Sequence, residues 1–127
     1  MKVTMSCLAT ALGLVLAVPA FADGDAAAGE KVFKKCKACH AVGDGAKNKV
    51  GPLLNGIVDS PAGQVEGFKY SDNLLELAEG GLVWDDAALA TYLTKPKDLI
   101  PKGKMSFAGL KKEADIVNVV AYLRTFQ

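Results

Sequence analysis

The sequence predicts an all-α domain of about four helices, joined by long loops that need something other than side chains to pack on. Three observations carry that prediction. Residues 113–125 place Ile116, Val119, Val120 and Leu123 at the i, i+3, i+4, i+7 spacing of an amphipathic helix. No stretch alternates apolar and polar residues for a useful strand length. Two glycine- and proline-bearing loops, 41–70 and 96–111, are much longer than ordinary connections. A small domain has little core of its own for such loops to wrap.

The first 22 residues read as an address rather than as fold. Lys2 gives a positive start, Leu8 to Val18 is an apolar run, Pro19 breaks it, and Ala20-Phe21-Ala22 is an A-x-A cleavage site. That is the plan of a secretory signal peptide, removed in the mature protein. The run of 11 residues is well short of the roughly 20 that a spanning helix needs. Cleavage after Ala22 leaves 23–127 as one domain, exported to the periplasm and not inserted in the membrane.

Within that domain the helices announce themselves by their ends. The first, near 25–38, has Asp23 or Asp25 as its cap and Val32 and Phe33 as apolar anchors. The second, 72–79, follows Ser71 and stops at Gly80-Gly81. The third, 86–95, follows Asp85, carries Leu89, Tyr92 and Leu93 on one side, and ends before Pro96. The fourth is the amphipathic 113–125 segment. There is no internal repeat.

Charge is balanced in total but not along the chain. Lys2 is the only charge in the leader, so 14 basic side chains remain against 14 acidic ones. Residues 59–86 hold seven acids against Lys69 alone, and residues 87–127 hold seven bases against three acids. A nucleic-acid binder would be basic overall, so that class is set aside. An asymmetric charge distribution can steer a partner onto one face.

The chemistry lies at Cys36-Lys37-Ala38-Cys39-His40. Cys7 falls in the leader, leaving Cys36 and Cys39, too close in sequence for a disulfide to staple much. C-x-x-C-H in an exported protein is a haem attachment site. Two thiols add across the two vinyl groups of one haem edge, and the next residue brings its imidazole to the iron. A thioredoxin-like pair would want a βαβ setting, and structural zinc would want four protein ligands. Neither is available.

For the second axial position, His40 is the only histidine, and Met105 is the only methionine outside the leader. Met105 sits in a polar loop, Ile100-Pro101-Lys102-Gly103-Lys104-Met105-Ser106, an odd place for a core gap-filler. His/Met ligation raises the iron's potential and fills both faces. A filled iron moves electrons, whereas an open one binds gases or substrates.

These residues resemble the class I c-type cytochromes, and within them the bacterial cytochrome c2 group related to mitochondrial cytochrome c. The resemblance covers essentially all of 23–127. It includes Gly29 and Phe33, Gly51-Pro52-Leu53-Leu54-Asn55-Gly56, Gly67-Phe68-Lys69-Tyr70-Ser71, Trp84, Tyr92-Leu93 with Pro96, and Val120-Ala121-Tyr122-Leu123. The resemblance implies that the Pro52 carbonyl accepts a hydrogen bond from the His40 ring and that Tyr92 approaches the Met105 sulfur. It implies that Tyr70 and Trp84 bond a haem propionate, and that Gly29 lets the first and last helices cross. The chain departs from relatives where Ser60 stands near their propionate Arg and Gly103 stands for their Thr. Its longer Tyr70–Trp84 span also leaves Asn73 without a sure counterpart.

The expected function is therefore a soluble periplasmic one-electron carrier, not an enzyme, holding one covalent haem c. Family resemblance implies a cytochrome bc complex as donor and a terminal oxidase or photosynthetic reaction centre as acceptor. Docking is expected through a haem edge ringed by Lys34, Lys35, Lys37, Lys97, Lys102, Lys104 and Lys111, with the 59–86 acids elsewhere, and the protein is expected to be monomeric. Two other readings stay open: a haem enzyme or gas sensor whose sixth ligand is displaceable, and a dedicated electron acceptor of one periplasmic dehydrogenase.

Overall fold

Asp25 starts the first helix because its carboxylate takes the place of a missing turn of carbonyls. Its Oδ1 accepts the N–H groups of Ala27 at 2.9 Å and Ala28 at 3.3 Å. The chain is seen here as a computed structural model that describes residues 13–14 and 24–127. The expected leader, with Cys7, Met1 and Met5, lies outside the described residues except for Gly13 and Leu14. Helix α1 covers Ala26–Phe33, five residues shorter at its end than the sequence suggests. The cause is a change of bonding. Lys35 and Cys36 donate to carbonyls three residues back, and the chain tightens into turns through the two cysteines.

Helix α2, Asp72–Glu79, is capped by Ser71 Oγ on the Leu74 N–H at 3.1 Å and stops at Gly80. Helix α3, Asp86–Thr94, is capped by Asp85 Oδ1 on the Ala88 N–H at 2.8 Å. Lys95 is extended, as a residue before proline prefers to be, and breaks the helix. Pro96 then opens a helix of one turn, α4 (Pro96–Leu99), inside a stretch that the sequence presents as loop. Helix α5 is Glu113–Arg124, with Ile116, Val119, Val120 and Leu123 buried on one side. The described residues thus hold five helices, and their one β pairing is an isolated bridge between Pro61 and Val83.

The frame is the crossing of α1 and α5, the most extensive helix contact. Gly29 makes it feasible, because a Cβ there would sit 1.9 Å from the Asn118 carbonyl oxygen. Asn118 Oδ1 also accepts the Asp25 N–H at 2.9 Å, and the Phe33 and Tyr122 rings stack with centroids 5.4 Å apart. The long 41–70 loop is pinned rather than packed. Asp59 donates to the Trp84 carbonyl at 2.8 Å, Trp84 to Ser60 at 2.9 Å, and Gly56 to Phe126 at 2.7 Å. Arg124 closes the same corner on Asp59 at 3.1 Å and Asp86 at 2.6 Å.

Candidate functional site

Among the described residues, the loops and helices leave an apolar hollow of about 750 Å³. That lies within the range of cofactor sites, roughly 300–1,000 Å³. Cys36, Cys39, His40, Pro52, Tyr70, Trp84, Tyr92 and Met105 all line it. Residues as far apart as 36 and 105 thus meet on one surface, although no helix carries more than one of them.

Both cysteines are unpaired and half-buried. Burial pushes the Cys36 thiol above its ordinary pKa; Lys35 opposes that and Cys39 adds to it. His40 follows the pair because the tight turns carry the chain straight on, with its N–H bonded to the Cys36 carbonyl at 2.9 Å. Its Nδ1 lies 2.7 Å from the Pro52 carbonyl oxygen. A carbonyl can only accept, so Nδ1 is the protonated nitrogen and Nε2 keeps a free lone pair. Burial lowers the ring's pKa, the Pro52 bond opposes it, and Lys49 adds to it. The result favours a neutral imidazole, the form that ligates a metal.

The opposite wall is built by α3 and the Met105 loop. Tyr92 donates its hydroxyl to the Met105 sulfur at 3.5 Å, and burial raises its pKa, so the proton stays on the oxygen. The Trp84 ring stacks on Tyr92 with centroids 4.9 Å apart. Trp84 is only 6% exposed, and its indole N–H meets no protein acceptor among the described residues. Tyr70 accepts the Val65 N–H at 2.9 Å, which leaves its own proton to donate. Ser60 also lines the hollow, but its hydroxyl is spent on the Ile57 carbonyl at 2.7 Å. Asn73 lies outside the lining and accepts the backbone N–H of Lys102 at 2.9 Å.

Charged side chains also line the hollow. Of the seven lysines, Lys35 and Lys104 line the hollow. Glu66, one of the acids expected to lie elsewhere, lines it too. Lys111 borders a second hollow between α1, α3 and α5, beside Asp86, Glu113 and Arg124. Charge along a chain does not map onto faces when loops double back, and here Arg124 folds onto Asp59 and Asp86.

Sequence reasoning had no role for two residues that shape the site. A Cβ on Gly51 would come within 2.4 Å of the His40 ring, so only glycine lets that ring sit against the backbone. Asn48 bonds the Leu53 N–H at 3.0 Å and the Glu66 carbonyl at 3.0 Å, joining the two sides of the 41–70 loop. The first has a sequence signal in its place beside Pro52; the second has none.

The donor set suits haem iron and little else. No group of three His, Cys, Asp or Glu that could hold a bare metal ion occurs among the described residues. A neutral imidazole and a thioether are the kinds of side chain that would hold a haem iron, which brings its remaining ligands with its own macrocycle. Two unpaired thiols beside the imidazole are what covalent attachment of such a group would need.

Comparison with known proteins agrees with that chemistry. The sequence model of the family described as Cytochrome c matches residues 26–127. The chain is 53% identical over 100 residues to a cytochrome c2 from Afifella marina, covering 79% of this chain and 81% of that protein. It is 55% identical over 100 residues to a cytochrome c-550 from Ancylobacter novellus, covering 79% and 94%. The solved structure of a cytochrome c2 from Rhodospirillum centenum superposes with a TM-score of 0.77 at 42% identity, covering 81% and 98%.

Proposed function

The chain belongs to the cytochrome c family, and from that premise we propose that it carries single electrons through the periplasm with His40 and Met105 as axial ligands. It is a cytochrome c electron carrier whose cofactor is one covalently bound haem c. When bound, that haem supplies a one-electron Fe(III)/Fe(II) couple. In the proposal Cys36 and Cys39 hold the group by thioether bonds. Pro52 fixes the His40 ring through its Nδ1–H, and Tyr92 steadies the Met105 sulfur. Tyr70 and Trp84 offer an O–H and an N–H to the propionates.

The leader 1–22 is proposed to be cleaved after Ala22 and to route the chain to the periplasm. No helix of the described residues is long and apolar enough to cross a membrane. The proposed donor is a quinol-oxidising cytochrome bc complex and the proposed acceptor a terminal oxidase or photosynthetic reaction centre. Lys35 and Lys104 at the rim supply positive charge for docking, so transfer should slow as salt rises.

The observation that carries this reading is that both ligands are backed on their far side, His40 by Pro52 and Met105 by Tyr92. Optical spectra of the purified protein, reduced and oxidised, with and without carbon monoxide, test it. A six-coordinate spectrum with an iron–sulfur charge-transfer band, unchanged by carbon monoxide, is expected. In Met105→Ala the band should vanish, the potential should fall, carbon monoxide should bind, and the haem should stay attached. An unaltered spectrum in that variant would remove Met105 as ligand and bring the haem-enzyme reading forward.

A further inference from the structure

Helix α2 has no evident part in the helical frame. None of its residues is fully buried, and it makes no substantial contact with another helix. Its first turn is nonetheless anchored by the Ser71 cap, and from that anchored turn Asn73 reaches the Met105 loop. Asn73 Oδ1 accepts the Lys102 backbone N–H at 2.9 Å, across 29 residues of sequence. The Lys104 ammonium lies 3.5 Å from the carbonyls of both Lys69 and Tyr70, immediately before α2. Ile100, buried in the core and bonded to the Pro96 carbonyl at 2.9 Å, roots the segment, and Gly103 N–H bonds back to Ile100 at 3.0 Å; beyond that root, 101–105 has, besides the Asn73 and Lys104 bonds, only the long Tyr92–Met105 contact. The loop is thus tied at two points to one short stretch, 69–73.

We propose that α2 is a strap on the Met105 loop and that Asn73 is its positioning residue, setting how readily Met105 yields to a competing ligand. This rests on the reading of Met105 as an axial ligand. Asn73 does not line the hollow, so it acts through Lys102 and not on the haem. A bond to a backbone N–H needs only an acceptor oxygen. Aspartate at this position keeps one; alanine does not.

The test is an imidazole titration of the oxidised holoprotein, read by loss of the iron–sulfur band, with amide hydrogen exchange measured in parallel. Asn73→Ala should bind imidazole about three- to tenfold more tightly, the range one net hydrogen bond carries. The Lys102 amide should exchange faster by a similar factor, while the Gly51 amide, on the His40 side, should not change. Asn73→Asp should leave imidazole affinity at or below that of the wild type. Unchanged affinity in Asn73→Ala, an equal rise in both variants, or faster exchange at Gly51 as well as Lys102 would each overturn the strap. If Met105→Ala keeps the wild-type band, the ligand reading has failed. If it loses the band and Asn73→Ala changes nothing, the strap alone has failed.

Discussion

The two walls of the haem site are made in opposite ways. On the His40 side, Cys36, Cys39 and His40 fall within one five-residue stretch, and bonds spanning 12 or 13 residues knit the chain around them. Gly51 donates to the Cys39 carbonyl at 2.8 Å, Leu54 to Ala41 at 3.0 Å, and Pro52 receives the ring at 2.7 Å. On the Met105 side, the proposed ligand stands in a loop tied by bonds that span 13 to 35 residues, at 2.9 to 3.5 Å. The first wall is a motif and the second is an assembly. Under the proposed ligation, the difference implies that exchange begins at Met105 while His40 stays in place.

The largest expected effect removes both walls together. A Cys36→Ala, Cys39→Ala double variant cannot retain covalent haem, and the 41–70 loop loses the group it wraps. Circular dichroism should show a largely unfolded chain without a cooperative thermal transition. A native-like transition would mean that the α1–α5 crossing suffices alone.

A smaller change disturbs only the His40 wall. Gly51→Ala puts a methyl group against the imidazole, where overpacking of this kind costs about 1–3 kcal/mol. Urea unfolding of the holoprotein should show that loss, and the Met105 charge-transfer band should persist. If the band disappears instead, the walls are coupled and the comparison above is wrong.

The smallest effect concerns Tyr92 on the Met105 wall. Burial raises its pKa in the fold, so the unfolded chain ionises first as pH rises. Its contribution to stability is complete below the unfolded value of about 10 and is lost as pH climbs through the folded value. Tyr92→Phe lacks this titration. Its stability should fall less steeply than that of the wild type above about pH 10, by urea midpoints across that range. Parallel pH profiles would show that Tyr92 ionisation does not bear on this wall.

The same contrast explains what could be read from the sequence. Asp25, Ser71, Asp85, Gly80 and Pro96 mark helix ends by local chemistry, so α2, α3 and α5 lie close to where their patterns place them. The stop of α1 at Phe33 and the single turn of α4 depend on bonding that propensity does not reveal. In the site, the Cys36–His40 spacing is itself the signal, and Met105 stands out by scarcity. The Asn73–Lys102 bond, the Arg124 clamp and the Glu66 position at the rim have no such mark. Each joins residues far apart in sequence, and each involves side chains common on any surface.

The pairing of α1 with α5 governs when this protein becomes a protein. Gly29 has nothing to close against until Asn118 exists, and the 56–59 corner is stitched to Arg124, Phe126 and Gln127. The crossing cannot close before α5 has been made, because its contacts join segments far apart in the chain. Because the haem-free chain is expected to stay open, the two thiols remain accessible until haem is bound, and the α1–α5 crossing then closes over a group already in place.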